Sequence, residues 1–571
     1  VLSSAPASVD EGAEGDEGAE GEDAHWVGGD VFLGRVHEEG GPVEGASSSS
    51  PLLLPLPHLD LDRFLDVPPE NAHLKLAAIK DVLGFMACAA YRTLYKRVLV
   101  NEHSFGDGWF FHDDNADVIL SEKKVAAVER QMRSWIRGER VEMLLLPRRD
   151  LREYFEKVGA DEQLSLLKTY RRDPVPAIRV GGQHLSFCWR HGRFSMEDLC
   201  SSFSLMQYSN GFLMRFPVLS LHEGSSNGIE ESPIREFHDQ PLLFRMIQEY
   251  EAFGSTCNVD YIGQLNEAIF SKEINFLMNV EEALHEKKLG QVADTIVAQF
   301  PHKRVICLSG PSSSGKTTTA KRLQIHLAVN GYQSILVGMD DYYRDYGDPV
   351  IPMRNGMHDM DALDSINTDL LAERILQLIQ GNPVPSRKYH FSTHKGYDVE
   401  DELLQFPSDK CFIICEGIHA LNPKFTDLLG GSHGVFRLFV SAICQLNVDK
   451  TCHVSTSDGR LLRRMLRDYR TRGFSAEDTI SRWPMVRAVE ETYIFPHSTS
   501  ADMMINTALL YELPLLANYC RPILAEVVGS PEVEHEANRL FQMTSLFYPL
   551  TEESVPRVSV LREFFGGGAF E

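Results

Sequence analysis

The chain has 571 residues, too many for one ordinary core and enough for about two to four domains. Apolar residues (43%) and charged residues (24%) stand in the proportions of a globular protein. A net charge of −25 argues against a general affinity for nucleic-acid backbone, which Lys and Arg must neutralise, and no apolar run approaches the about 18–20 residues that cross a membrane.

The first segment is acidic and of low complexity. Asp10–Asp23 (DEGAEGDEGAEGED) holds eight acids and no base, and Gly40–Pro57 continues the bias, so residues 1–68 are expected to form a solvated, disordered tail. The chain opens on Val1 and its first methionine is Met86, so we expect the natural N-terminus to precede it. What is present lacks the basic, Ser-rich character of a transit peptide, and the expected location is cytoplasmic. Residues 69–222 read as an α+β domain, with strands at Trp109–His112 and Val141–Leu146 and helices at Ser121–Arg137 and Leu151–Lys168. Residues 223–300 read as a helical connector, in which Leu277, Val280, Leu284, Leu289, Val292 and Ile296 recur near helical spacing.

Residues 301–571 alternate strand and helix. Val305–Ser309, Ser334–Met339, Cys411–Cys415 and Phe436–Ser441 are apolar runs with helical stretches between them, Lys316–Asn330 the first. That order predicts an α/β domain with a parallel, doubly wound sheet. The ten cysteines are scattered without paired C-x-x-C units, so buried free thiols are expected and a structural zinc site is not.

The first apolar run leads into Gly310-Pro311-Ser312-Ser313-Ser314-Gly315-Lys316-Thr317-Thr318, which fits G-x-x-x-x-G-K-[ST]. Glycines let the backbone wrap closely, so that its N–H groups point at phosphate oxygens. The following helix adds its positive end. Lys316 is placed to reach the β- and γ-phosphates of ATP, and the Thr317 hydroxyl to ligate Mg²⁺.

The next strand runs into Asp340-Asp341-Tyr342-Tyr343. A carboxylate at the C-terminal edge of a strand beside the loop can touch an acceptor and take its hydroxyl proton; taken alone, these acids could equally cap a loop or helix. Phe412–Gly417 is an apolar strand ending in an acid, which places Glu416 as a second Mg²⁺ ligand. Asp458–Phe474 (DGRLLRRMLRDYRTRGF) crowds six arginines. Beside a phosphate loop it reads as a lid, with Arg464, Arg467 and Arg472 closing on the triphosphate; the alternative is a solvated helix face paired with Asp458 and Asp468.

These elements, in this order, resemble the uridine kinase and phosphoribulokinase family. The family's D-x-F-Y element, which carries the general base, matches Asp340 with Tyr343. Its Y-x-F-x-x-H acceptor element matches Tyr389, Phe391 and His394 in KYHFSTH, and Asp359 in HDMDALD resembles the ribose-binding Asp. Met360 and His390 depart from the usual residues there, which bears on which acceptor is used.

The long quoted pieces EALHEKK (Glu282–Lys288), EGIHALNP, RRMLRDYRTRGFSAEDTI, ADMMINTALLYELPLL and VLREFFGGG resemble, more narrowly, the long nucleoside kinases with an N-terminal domain like the second additional domain of threonyl-tRNA synthetase. In that half, HSFGDGWFFHD (His103–Asp113) and HGRFSMEDLC (His191–Cys200) resemble synthetase elements. The synthetase's metal-ligand set is not complete: Ser204 stands where a histidine is expected, and a structural or substrate-gating domain is implied rather than an editing one.

The resemblance implies an ATP- and Mg²⁺-dependent nucleoside kinase acting on the 5′-hydroxyl of uridine or cytidine. Its partner is the nucleoside, neither membrane nor nucleic acid, and a homo-oligomer is left open. Two alternatives stand beside it: a sugar or pentose-phosphate kinase of the same superfamily, and a nucleotide-binding regulatory or RNA-associated protein without turnover.

Overall fold

A computed structural model of the protein describes residues 72–106, 108–170, 172–188, 195–221, 229–354 and 356–570. The acidic tail expected at 1–68 lies outside the described residues. The N-terminal part begins with helix α1 (Ala72–Tyr95). Strands β1 (Leu99–Phe105), β2 (Gly108–Asp113), β3 (Val141–Leu146), β4 (Val175–Val180), β5 (His184–Phe187), β6 (Ser204–Tyr208) and β7 (Gly211–Arg215) follow. They form two antiparallel sheets of order β1-β2-β7-β6 and β3-β4-β5. One face of the larger sheet sends Trp109, Phe111, Phe212 and Met214 onto α1 and α2 (Glu122–Arg137), in which Val125, Val128, Met132 and Trp135 recur on the buried face.

The helix expected at Leu151–Lys168 is two helices, α3 (Arg148–Val158) and α4 (Asp161–Thr169). Gly159, at φ 68°, takes the left-handed conformation that ends α3, and its N–H bonds back to the Glu156 carbonyl. The apolar periodicity runs through the break, which is why it reads as one element.

Three helices join the two parts: α5 (Pro241–Thr256), entered on a proline at its first position, α6 (Ile262–Phe270) and α7 (Ile274–Val297). The sheet beyond them is fully parallel. It contains β8 (Val305–Ser309), β9 (Gln333–Gly338), β10 (Cys411–Glu416), β11 (Val435–Ser441) and β12 (Met503–Asn506), in the spatial order β9-β10-β8-β11-β12.

Alternate residues of the central strands feed two separate cores, as a sheet covered on both faces requires. Ile306, Leu308, Phe412, Ile414, Leu438 and Val440 pack against α7 and against α8 (Lys316–Val329). Val305, Cys307, Ile413 and Cys415 face the helix Thr368–Ile379. All ten cysteines are free. No helix among the described residues is long and apolar enough to cross a membrane.

Candidate active site

The loop between β8 and α8 leaves the central strand of the sheet. A Cβ at Gly310 would lie 1.9 Å from the Val440 carbonyl oxygen, so only glycine lets the loop lie against β11. Gly315 is left-handed (φ 78°) and starts α8; a Cβ there would meet Val560 at 2.5 Å. Ser313 also has positive φ (59°). The buried hydroxyls of Ser313 and Ser314 have no hydrogen-bond partner. The Lys316 ammonium, at the first turn of α8, donates to the Pro311 carbonyl at 3.1 Å.

Three acids surround this lysine. Asp340 sits in the short 3-10 helix Met339–Tyr342 that follows β9, and Glu416 ends β10. The Thr317 hydroxyl donates to Glu416 at 3.5 Å. Burial pushes the Glu416 carboxyl up to about 7, against the pull of Lys316. Burial also raises Asp340, opposed by the charges of Lys316 and Arg472, and it lowers Lys316, opposed by Glu416 and Asp340. The third acid, Glu563, comes from the short helix Arg562–Phe565 and accepts from the Thr318 hydroxyl at 2.7 Å. Its charge acts on both Lys316 and Glu416. Sequence reasoning gave it no role; the VLREFFGGG segment was its only signal. Asp341, partly buried, pairs with Lys388 at 3.2 Å.

The arginine-rich stretch is helix α9 (Thr456–Arg472), ended by left-handed Gly473 and packed on the loop. Two of its arginines are wall rather than lid. Arg460 is buried, donates to the Ser312 carbonyl at 3.3 Å and makes a bidentate pair with Glu490 at 2.6 Å. Arg463, also buried, reaches the Ser313 carbonyl (3.4 Å) and Glu512. Glu490 belongs to α10 (Ala476–Tyr493) and also accepts the Ser312 backbone N–H at 2.9 Å. Thr507, just after β12, donates to the Ser314 carbonyl at 2.6 Å. Arg464 reaches the Ser312 hydroxyl at 2.7 Å, while Arg467 and Arg472 share Asp468. The stretch is therefore a fixed buttress on one face and offers cations on the other.

Glu490→Gln should show what the buttress contributes. It leaves Arg460 buried without its carboxylate, while the half-buried Arg487 keeps Glu491, and one-sided removal from a buried pair costs about 3–5 kcal/mol. Urea unfolding should report a loss of that order.

The aromatic residues expected to receive the acceptor converge. Tyr343, Tyr389 and Phe391 have ring centroids 5.0–6.0 Å apart, and Phe391 is 59% exposed. The buried Tyr389 hydroxyl has no partner. His394 lies one residue group further out, 5.5 Å from the Tyr346 ring. Asp359 is buried and already engaged: Arg354 donates at 2.8 Å and the Tyr493 hydroxyl at 3.0 Å. Its neighbour Asp361 accepts from the same Arg354 at 3.2 Å with its carboxylate still half-exposed. Burial raises Asp361, and the charges of Arg354 and Arg464 lower it, so this acid faces the loop and α9.

His419 donates its Nε2–H to the Asp361 carbonyl, 2.8 Å away, since a carbonyl only accepts. Burial pushes its imidazole down to about 4 from the usual 6.5. Between those values the unfolded chain takes up a proton that the folded one does not. Stability from this group is therefore present above about pH 6.5 and lost as pH falls toward about 4, by up to about 3 kcal/mol. His419→Gln should flatten that part of a plot of urea midpoint against pH.

A large cleft of about 920 Å³ opens elsewhere, between the N-terminal sheet and the kinase-side helices. It meets the phosphate loop only at Pro311 and includes none of Lys316, Asp340 or the aromatic trio.

A strand, a glycine-hinged loop with lysine at the helix start, and acids at neighbouring strand ends make this a P-loop phosphotransferase. Residues 305–510 match the model of the phosphoribulokinase / uridine kinase family. A uridine kinase of Staphylococcus aureus (strain JH9) is 28% identical over 202 residues, 35% of this chain and 86% of the relative. Among solved structures, a kinase ascribed to a fructose transport system in Silicibacter sp. TM1040 aligns at 17% identity and TM-score 0.28, over 38% of this chain and 98% of that one. D-glycerate 3-kinase of Cryptococcus neoformans aligns at 14% identity and TM-score 0.19, over 46% and 88%.

Proposed function

We propose that the protein is an ATP-dependent nucleoside kinase that phosphorylates the 5′-hydroxyl of a ribonucleoside, uridine or cytidine. The observation that carries this reading is the trio Tyr343, Tyr389 and Phe391, an apolar slot with an exposed edge beside the Asp340 strand end. A planar base stacks in such a slot, whereas a pentose phosphate calls for free cations, and the nearby Arg354, Arg387 and Lys388 are each paired to an acid. The S. aureus uridine kinase supports the same substrate class.

The loop fits a nucleoside triphosphate: its backbone is shaped by glycines that admit no Cβ, and its buried serine hydroxyls await partners. ATP with Mg²⁺ supplies the phosphoryl group and neutralises its oxygens. In this reading Gly310 to Thr318 wrap the phosphates, Lys316 places its ammonium against them, and Thr317 and Glu416 hold the metal. Asp340 accepts the proton from the acceptor hydroxyl; burial makes it a stronger base than a surface aspartate. Arg464, Arg467 and Arg472 face the transferring group. Asp359, with Asp361, takes the ribose hydroxyls, and His394 closes the base end.

We assign the N-terminal part, residues 69–222, a synthetase-like structural or gating role. Cys200 supports this, since its thiol accepts from Arg133 at 3.7 Å and no histidine stands four residues on. The test is ADP release from ATP and Mg²⁺ against a panel of nucleosides and pentose phosphates, with Lys316→Ala as control. Turnover with uridine or cytidine is expected; turnover only with a pentose phosphate, or with no acceptor, would overturn the reading.

A further inference from the structure

The N-terminal sheet meets the connector at a cluster of acids and histidines that the phosphotransfer site does not use. Glu102 and His103 are consecutive in β1, and consecutive residues of a regular strand point to opposite faces. Here the register slips between Asn101 and His103: Asn101 pairs with Phe111 and His103 with Phe110. The extra residue is a β-bulge, and bulges re-aim side chains. It turns Glu102 and His103 to the same side, toward Glu251 of α5.

One donor atom from each of Glu102, His103 and Glu251 lies within 4.8 Å of the other two. His103 is 1% exposed, and neither of its ring nitrogens has a hydrogen-bond partner, although Nδ1 stands 2.5 Å from Oε1 of Glu251. That carboxylate oxygen has no hydrogen bond either. Among the described residues no lysine or arginine forms an ion pair with Glu102 or Glu251; His112 pairs with Glu102, and Glu251 has only His103 beside it. Behind them, His112 sets Nε2 at 2.7 Å from the second oxygen of Glu102, while its Nδ1 lies 2.7 Å from the Asp113 carbonyl. A histidine anchored on a carbonyl and orienting a carboxylate is the outer layer that metal ligands commonly have.

We propose that Glu102, His103 and Glu251 bind one divalent transition-metal ion of the zinc class, with His112 positioning Glu102. One imidazole nitrogen and two carboxylates suit zinc, manganese or cobalt better than magnesium. Small side-chain shifts bring the donors to the about 2.0–2.2 Å that zinc requires. The ion ties β1 to α5, and the preceding residue of that helix, Tyr250, donates its hydroxyl to the Asn506 carbonyl at the edge of the kinase sheet. Cysteine spacing could not reveal this site, because its donors are not thiols and come from elements far apart in sequence.

The test uses the full chain, purified without metal-chelating resin, stripped with a chelator and titrated with Zn²⁺, then with Co²⁺ as a spectroscopic probe. About one Zn²⁺ per chain is expected, with a rise in Tm on refilling. Glu251→Gln and Glu102→Gln, which keep side-chain size, should abolish both uptake and the Tm rise. His112→Gln should weaken uptake by about 10–100-fold. Glu416→Gln should leave it intact, which separates this ion from one at the phosphate loop. Failure of the stripped wild-type chain to take up Zn²⁺, Co²⁺ or Mn²⁺ stoichiometrically overturns the proposal, as does retention of the metal by both glutamine variants.

Discussion

Asp340→Asn is expected to lower kcat by about 10²–10⁴-fold, the usual contribution of a positioned general base. The amide keeps the shape of the carboxyl but cannot take a proton. Asp340 lies in the short helix after β9 with its carboxyl reachable from solvent, and the charges of Lys316, Asp341 and Arg472 act on it. Loss of the negative charge also removes one of the three acids that hold Lys316 charged. The KM for ATP should therefore move little, while single-turnover transfer slows. Asp341→Asn is the matched control: that acid pairs with Lys388 and should cost little. Full turnover by Asp340→Asn would sink the assignment of the base.

Lys316→Ala should lower kcat by about 10²–10³-fold or more, the scale for removing one preorganised electrostatic stabiliser of a transition state. The structure makes this lysine difficult to replace. It is buried, its ammonium touches the loop carbonyl of Pro311, and Glu416 and Asp340 are its counter-charges. Without it, three acids face one another with no cation among them except those of α9. A nucleotide-binding assay run beside the kinetics separates the two roles: loss of kcat with retained ATP binding places Lys316 in the transition state, and loss of both places it in the ground state as well.

What the sequence conveys here is what is local. The loop, the acids ending β9 and β10 and the aromatic run near residue 390 each announce themselves within a few residues, because a phosphate cradle and a strand-end carboxylate need adjacent side chains. What it hides arrives from far along the chain. Glu490, Thr507 and Glu563 touch the loop across separations of 178, 193 and 245 residues, and no spacing rule connects them to it. The arginine stretch shows a third case. Its composition is plain, but six arginines crowded between residues 460 and 472 do not reveal that Arg460 and Arg463 turn inward to hold loop carbonyls, that Arg464 reaches the Ser312 hydroxyl, and that Arg467 and Arg472 share Asp468. Likewise a single glycine divides α3 from α4, where apolar periodicity alone runs on.

The partners of the phosphate loop also set an order of events during synthesis. Thr318 waits for Glu563, 245 residues downstream. At about 5–20 residues per second a ribosome needs about 12–50 s to deliver it. Through that interval the loop's far wall is still untranslated, and contacts of such long range close slowly. The kinase half therefore completes its phosphate site only after Glu563 emerges, while the N-terminal sheets, whose strands pair within residues 99–215, can finish first.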